Sequence, residues 1–315
     1  MYARYFVLFA ILFTGWFLRK INFIDDQMNH SINKLIVYFA YPCMIVHNIG
    51  SLELSGTVIR QFGIAFGISL ICFFLYGFVT KYYAKARKFP ENISNAAEFA
   101  MVAPNDGFMG FPVALIFFGE TGLLLMLAHN AAMNFFIFTY GISLMRRNKK
   151  NQRKVTPNLL IRAILKFILN PNILALLIGF GLSLLGDGVP GPVDEYLLYI
   201  GGVSTPMAMI FIGSSLTNYR FFATLKNIRI LESSLMKLIW LPLLSLGLVY
   251  FLPIAPIIKC CVVLGFAFPT AATVSMLSEQ EGQSVGTASR ILFISTVASM
   301  ATVPGFIWLL NHLFM

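Results

Sequence analysis

Ten residues in the middle of an apolar run constrain this chain most. Residues 103–112 read APNDGFMGFP, inside an apolar segment spanning 91–118. That segment is long enough to cross a bilayer, which takes about 20 apolar residues. Yet Pro104, Gly107, Gly110 and Pro112 are poor in a continuous helix, and Asn105 and Asp106 place an amide and an ionisable group at its centre. In lipid, backbone groups released by a break must find partners within the protein or in a wet cavity. A charge near the bilayer centre costs about 2.5 to 3.5 kcal/mol on insertion scales. The stretch is therefore expected to be a broken transmembrane helix that carries a site.

Composition supports a membrane setting. The 315 residues are 58% hydrophobic and 11% charged, with mean hydropathy +0.78. Soluble domains are nearer 25% charged and 45–50% apolar, so an integral membrane protein with several spans is expected. Cys43, Cys72, Cys260 and Cys261 all fall in apolar segments, without CxxC or Cys/His spacing. They read as small apolar residues, and no metal or redox cofactor is expected. The leading run, 2–18, has no basic leader or A-x-A-like site, and Arg19 and Lys20 follow it. It reads as a retained first span with its N-terminus outside.

Ten apolar segments can be counted, at about 2–19, 29–49, 58–80, 91–118, 121–145, 158–185, 192–217, 229–251, 256–278 and 284–313. Charge tests the count. The connections after the odd-numbered spans hold Arg19, Lys20 and Lys34; Lys81, Lys85, Arg87 and Lys88; Arg146, Arg147, Lys149, Lys150, Arg153 and Lys154; and Arg220, Lys226 and Arg229. The other face has Arg4, Arg60 and Lys259, together with Glu53, Glu120, Asp187, Asp194 and Glu195. The positive-inside rule then puts both termini outside the cell membrane and the loop between spans 5 and 6 in the cytoplasm. Topology and anionic lipid account for the net charge of +10, so nucleic acid is not an expected partner.

The basic loop 146–157 divides the chain into halves, 1–145 and 158–315. An odd number of spans per half makes the halves inverted. Pro42 interrupts the second span of the first half, and Pro206 the second span of the other. The fourth span of the first half carries APNDGFMGFP, and its counterpart, span 9, carries FAFPTAATVS with Pro269 near the centre. Paired interrupted segments in two halves point to a transporter site at the midplane. Helix N-termini meeting there favour anions and C-terminal carbonyls favour cations.

These strings resemble those of the auxin efflux carrier family, which includes plant PIN carriers and bacterial permeases. APNDGFMGFP is similar to the family's first crossover, and FAFPTAATVSMLSEQEG resembles its second. ILNPNILALLIGFGLSL, residues 168–184, resembles the asparagine-proline segment opening the second half, and SSLMKLIWLPLLSLGL is similar to the eighth helix. The resemblance implies an all-α membrane protein of ten helices in a 5+5 inverted repeat, similar to bile-acid symporters and sodium/proton antiporters, with broken helices 4 and 9 crossing. Helices 1, 2, 6 and 7 would form a scaffold, and helices 3–5 and 8–10 a moving transport unit. It implies an organic anion as substrate, an auxin-like acid in plants and malate or malonate in bacteria. Plant relatives imply a homodimer. Asn105 would contact a substrate carboxylate, and Pro104 and Pro269 would mark the crossovers.

Asp106 departs from the threonine that plant carriers tend to have there. An aspartate at a half-helix start is a good N-cap, but an ionised one repels an anion. Either it is protonated when an anion binds, or it pairs with a cation such as a proton or sodium, or the substrate is itself cationic or zwitterionic. Glu98, about two turns away, either lines a vestibule and shares the coupling or reaches headgroups. Asn130 and Asn134 share a face of span 5, Asn134 as a site candidate, whereas His129 reads as a packing residue pointing elsewhere. Asn170 and Asn172 flank Pro171 and either satisfy freed carbonyls or face the site. Gly107 and Thr270 complete the candidates, Thr270 as a cap or a substrate hydroxyl. Nothing resembles an ATP-binding loop, paired aspartates or HExxH, so a secondary carrier is expected in place of an enzyme. A uniporter, a channel or a sensor of the same architecture remains the alternative.

Overall fold

In this computed structural model, residues 2–53, 55–147, 165, 168–185, 189–218, 224 and 226–315 are described. Lys149, Lys150, Arg153 and Lys154 of the basic loop, together with Asp187 and Arg220, lie outside them. The helices in chain order are α1 Tyr2–Lys20, α2 Asp26–Leu35, α3 Tyr41–Gly50, α4 Gly56–Ala86, α5 Glu91–Val102, α6 Phe111–Phe136 and α7 Ile142–Arg146. They continue with α8 Pro171–Leu185, α9 Gly191–Gly202, α10 Ser204–Ser215, α11 Ile228–Leu235, α12 Leu241–Tyr250, α13 Pro256–Ala267, α14 Ala272–Gln280 and α15 Val285–Phe314. Among the described residues there is no strand. Five helical stretches among the described residues are long and apolar enough to cross a membrane: Gly56–Ala86, Asp106–Arg146, Gly191–Ser215, Ile228–Tyr250 and Val285–Phe314. Pro171–Leu185 and Pro256–Ala267 are shorter apolar helices.

Several α-helices are joined end to end by a five-residue π-turn. Three of these turns, Ile36–Ala40, Asp106–Gly110 and Met236–Trp240, end directly before Tyr41-Pro42, Phe111-Pro112 and Leu241-Pro242. The reason is local. A proline has no N–H, and its ring crowds the carbonyl four residues back. One wider turn before it relieves the clash without ending the helix. Pro42 therefore bends the second span without breaking it. Pro206 is in the first turn of α10, just past the end of α9 at Gly202, so the interruption precedes it. Pro171 likewise opens α8. Asn170 caps that helix, its side-chain oxygen accepting from the Asn172 amide at 3.0 Å. The sequence boundary between 118 and 121 falls on Gly119, whose φ of 64° and ψ of −158° interrupt the helical path; that region is essentially glycine-only.

The chain forms two compact units, each assembled from separate segments. The first comprises residues 1–62, 111–124 and 166–218. In it α1 and α10 approach until backbones touch. A Cβ on Gly213 would meet the Leu12 carbonyl oxygen at 1.8 Å, and one on Gly15 the Ile210 oxygen at 2.2 Å. Small residues of this kind let membrane helices associate closely. Asn29 of α2 ties to α10 through Ser214 and Ser215, and His47 of α3 pairs with Asp194 of α9 at 2.6 Å.

The second unit comprises residues 63–110, 125–165 and 219–315. Its core is aromatic around Phe266, whose ring lies 4.7 Å from Phe73, 4.9 Å from Tyr76 and 4.7 Å from His129. Tyr76 and Ser245 share a buried hydrogen bond of 2.6 Å. At helix ends, acids and arginines pair. Arg147 grips Glu98 with two bonds of 3.0 and 2.7 Å, Arg146 grips Glu281 at 2.9 and 2.6 Å, and Glu232 binds Arg87 and Arg229. The hydrogen bond from Arg87 to Glu232, with the carboxylate's charge, holds that guanidinium above its ordinary pKa.

Candidate functional site

The breaks in two helices of the second unit meet. α5 ends at Val102 and the π-turn leading into α6 begins at Asp106; α13 ends at Ala267 and α14 begins at Ala272. Between them Pro104 and Thr270 form an antiparallel bridge. The Asn105 amide donates to the Pro269 carbonyl at 2.7 Å, and the Ala271 amide to the Ala103 carbonyl at 3.0 Å. Each extended break thus satisfies the other, which is what irregular backbone needs away from water. The prolines leave further orphans. Pro104 cannot donate to Ala100, four residues back, so the Thr270 hydroxyl does, at 2.7 Å. Thr270's own amide, past the end of α13, donates to the Ser295 hydroxyl at 3.1 Å. Thr270 is fully buried and occupied by this repair, so its hydroxyl is not presented to a ligand.

Asn105, and not Asp106, caps the half-helix: its Oδ1 accepts from the Phe108 amide at 3.3 Å, and its carbonyl from Met109 at 3.2 Å. With the backbone and Oδ1 holding the break, the Asn105 Nδ2 group makes no hydrogen bond among the described residues. Beside it, Gly107 is half-buried, and a Cβ there would meet nothing nearer than Asn130 Nδ2 at 3.9 Å. Gly110 is different, because a Cβ would lie 3.1 Å from both Asp106 Cβ and Phe268 Cε2.

Asp106 turns inward and is 0% exposed. Its Oδ2 lies 2.7 Å from His129 Nδ1, and its Oδ1 accepts from Asn130 Nδ2 at 2.7 Å. Asn134 extends the chain, donating from Nδ2 to Asn130 Oδ1 at 3.0 Å and to the Asn130 carbonyl at 2.9 Å. His129 thus does not point away from the site: it shares Asp106 with Asn130, because one residue's rotation on α6 still lets both reach one carboxylate. The His129 ring rests on Gly265, where a Cβ would come within 2.6 Å of its Nε2, and that Nε2 has no hydrogen-bond partner. The proton therefore belongs on Nδ1, which donates, and Asp106 accepts on both oxygens.

The remaining candidates separate. Glu98 does not share a regular helical face with Asp106, because α5 stops at Val102. Glu98 is held instead by Arg147 and by the Ser94 hydroxyl at 2.7 Å. Asn172 belongs to the other unit, where its Oδ1 is buried without a partner. Arg290 is exposed. One residue with no role in the sequence reading stands out here. Lys237, on the π-turn before Pro242, is fully buried, and its Nζ donates to the Phe266 carbonyl at 3.2 Å, in the last turn of α13. A cation suits the carbonyl end of a helix. The sequence held a signal for it: a lysine inside an apolar span, five residues before an internal proline.

Comparison with known sequences fits an architecture of broken apolar helices. The profile of a family described as membrane transport protein matches residues 2–307. The chain belongs to that family. It is the auxin efflux carrier family of the resemblance, and the protein is a multi-pass membrane protein of a transporter family. Among its relatives, an "Uncharacterized transporter" of Methanothermobacter thermautotrophicus is 24% identical over 297 residues, 94% of this chain and 93% of the relative. Another of that description, from Methanocaldococcus jannaschii, is 22% identical over 310 residues, covering 96% of this chain and 97% of its own. A Rhizobium meliloti protein named "Putative malonate transporter" is 25% identical over 312 residues, 96% of this chain and 93% of its own.

Proposed function

We propose that this membrane transport protein is a secondary carrier of a small organic anion, a dicarboxylate of the malonate type, bound at the paired breaks. One observation carries the reading: Asn105 keeps its Nδ2 donors unused among the described residues beside a half-helix N-terminus, while the adjacent carboxylate, Asp106, is turned inward and bonded on both oxygens. Amide donors and the positive end of a helix suit a carboxylate. With both Asp106 oxygens held by His129 and Asn130, the Asn105 amide is left to face the anion. The name of the Rhizobium meliloti relative supports the substrate class. In this reading ten spans form two inverted halves in the cell membrane, with both termini outside. The unit holding both breaks moves elevator-fashion against the other, and the gathering of both breaks into one compact unit supports that.

The test is a thermal-shift screen of purified protein against malonate, malate, succinate, indole acetate, lysine and arginine, at acid and neutral pH, with and without sodium. A dicarboxylate at a hundredfold excess over its Kd is expected to stabilise the folded state by about 2.7 kcal/mol. Stabilisation by the cationic amino acids alone would overturn the anion reading in favour of a cation carrier.

A further inference from the structure

We propose that Gly107 sets the size of the cargo, the open room above its Cα receiving the carbon chain of the anion, a step that rests on the carboxylate reading of Asn105 and adds the residue that decides which acids fit.

Glycine is unfavourable at this position. Gly107 is the second residue of the π-turn that leads into α6, in a helical stretch that continues to Arg146. Inside a helix glycine is the poorest residue after proline, because its unfolded backbone has the most freedom to lose. Two structural needs commonly keep a glycine in such a place: a positive φ, or a neighbour that leaves no room for a Cβ. Neither holds here. Among the described residues the positive-φ glycines are Gly119 and Gly282. A Cβ on Gly107 would meet nothing nearer than Asn130 Nδ2 at 3.9 Å, an ordinary contact distance.

The other glycines beside the two breaks are packed shut. A Cβ on Gly110 would lie 3.1 Å from Phe268, and one on Gly265 2.6 Å from His129. Glycines of this unit with open room, such as Gly63, Gly247 and Gly305, are exposed. Gly107 is half-buried instead, two residues from an Asn105 side chain that is buried and still has unused donors.

The donors beside that room suit a carboxylate. The Gly107 backbone N–H and the Asn105 Nδ2 group make no hydrogen bond among the described residues, whereas the Phe108 amide is taken by Asn105 Oδ1. The first N–H groups of a helix have no partner within it and favour an anion. A carboxylate drawn to these donors brings its α-carbon over Gly107, and the missing Cβ lets it come close. Asn130 walls the room on one side, held in place by Asp106 and Asn134. A methyl group on residue 107 and a methyl group on the substrate therefore compete for one space.

Calorimetric titration of malonate and methylmalonate into the purified full-length wild type and Gly107→Ala, with thermal unfolding of both proteins, tests this. The wild type is expected to bind both acids. Gly107→Ala is expected to weaken methylmalonate by about tenfold or more relative to malonate, the discrimination that one extra carbon meets in a filled pocket, with Tm unchanged or raised. Loss of both acids at an unchanged Tm would carry the same meaning, the added methyl then filling the whole room. An affinity ratio equal to that of the wild type would overturn the proposal and leave the carboxylate reading intact; if counterflow slowed at that unchanged ratio, Gly107 would be a hinge. Rejection of methylmalonate by a wild type that binds malonate would overturn it too, as would a lowered Tm in Gly107→Ala, which would mean that the protein itself needs the space. Binding of none of malonate, methylmalonate and succinate by the wild type would overturn both.

Discussion

Pro104 illustrates how much one residue can oblige others to do. Its missing N–H orphans the Ala100 carbonyl, and Thr270, 170 residues further on, repairs it. Thr270→Val keeps the shape and removes the hydroxyl. It is expected to lower stability in detergent by about 1 to 3 kcal/mol, the usual cost of a buried polar group without a partner. Thr270→Ser should restore most of that, and denaturant unfolding reads both. At this scale the sequence was informative where chemistry contradicts its surroundings. Asn105 and Asp106 stand out in an apolar run between two prolines. His129 and Lys237 do not, because the partner of His129, Asp106, is 23 residues earlier at the start of the π-turn, and that of Lys237, Phe266, is on α13. Spacing tells which residues share a helix face, but not which helix that face meets. Whether Asp106 caps its half-helix was not legible for the same reason: its oxygens are claimed by donors that only tertiary packing supplies.

Among the elements, the π-turns before Pro42, Pro112 and Pro242 are built on one local rule, and two of them hold buried charged residues. Asp106 starts one turn and Lys237 is the second residue of another. A π-turn rotates the side chains that precede it relative to a regular helix, so the proline sets where each charge points. Pro242→Ala restores the missing N–H and lets the helix close regularly, which is expected to leave stability unchanged or slightly raised while turning Lys237 away from Phe266. Thermal unfolding checks this; a loss of stability greater than about 1 kcal/mol would contradict it. Proline positions were legible in the sequence, but their consequences differ. Pro104 and Pro269 lie in true breaks, Pro171 opens a helix, and Pro42 and Pro242 are carried within helices by one wide turn. What decides is whether partners exist for the freed backbone, and that is a tertiary fact.

Over the whole molecule, the compact units do not follow the two halves of the sequence: each draws segments from both. Hydropathy and charge made a multi-span membrane protein readable, because about 20-residue apolar runs and basic connections are imposed by the bilayer itself. How those spans group was not readable from the same signals, since lipid-facing and protein-facing apolar residues look alike. The family match covers residues 2–307 and so segments of both units, and the paired breaks lie inside one of them. The central claim is that Asn105 binds a carboxylate that the protein carries across the membrane. Counterflow in proteoliposomes tests it most directly: vesicles loaded with unlabelled malonate, with uptake of labelled malonate followed for the wild type and for Asn105→Ala. Trans-stimulated uptake by the wild type, with at least about a tenfold loss in Asn105→Ala as expected for removing an interaction worth 1.4 kcal/mol or more, is the predicted result. Equal trans-stimulation by the two proteins, or none by the wild type with any dicarboxylate, would contradict it.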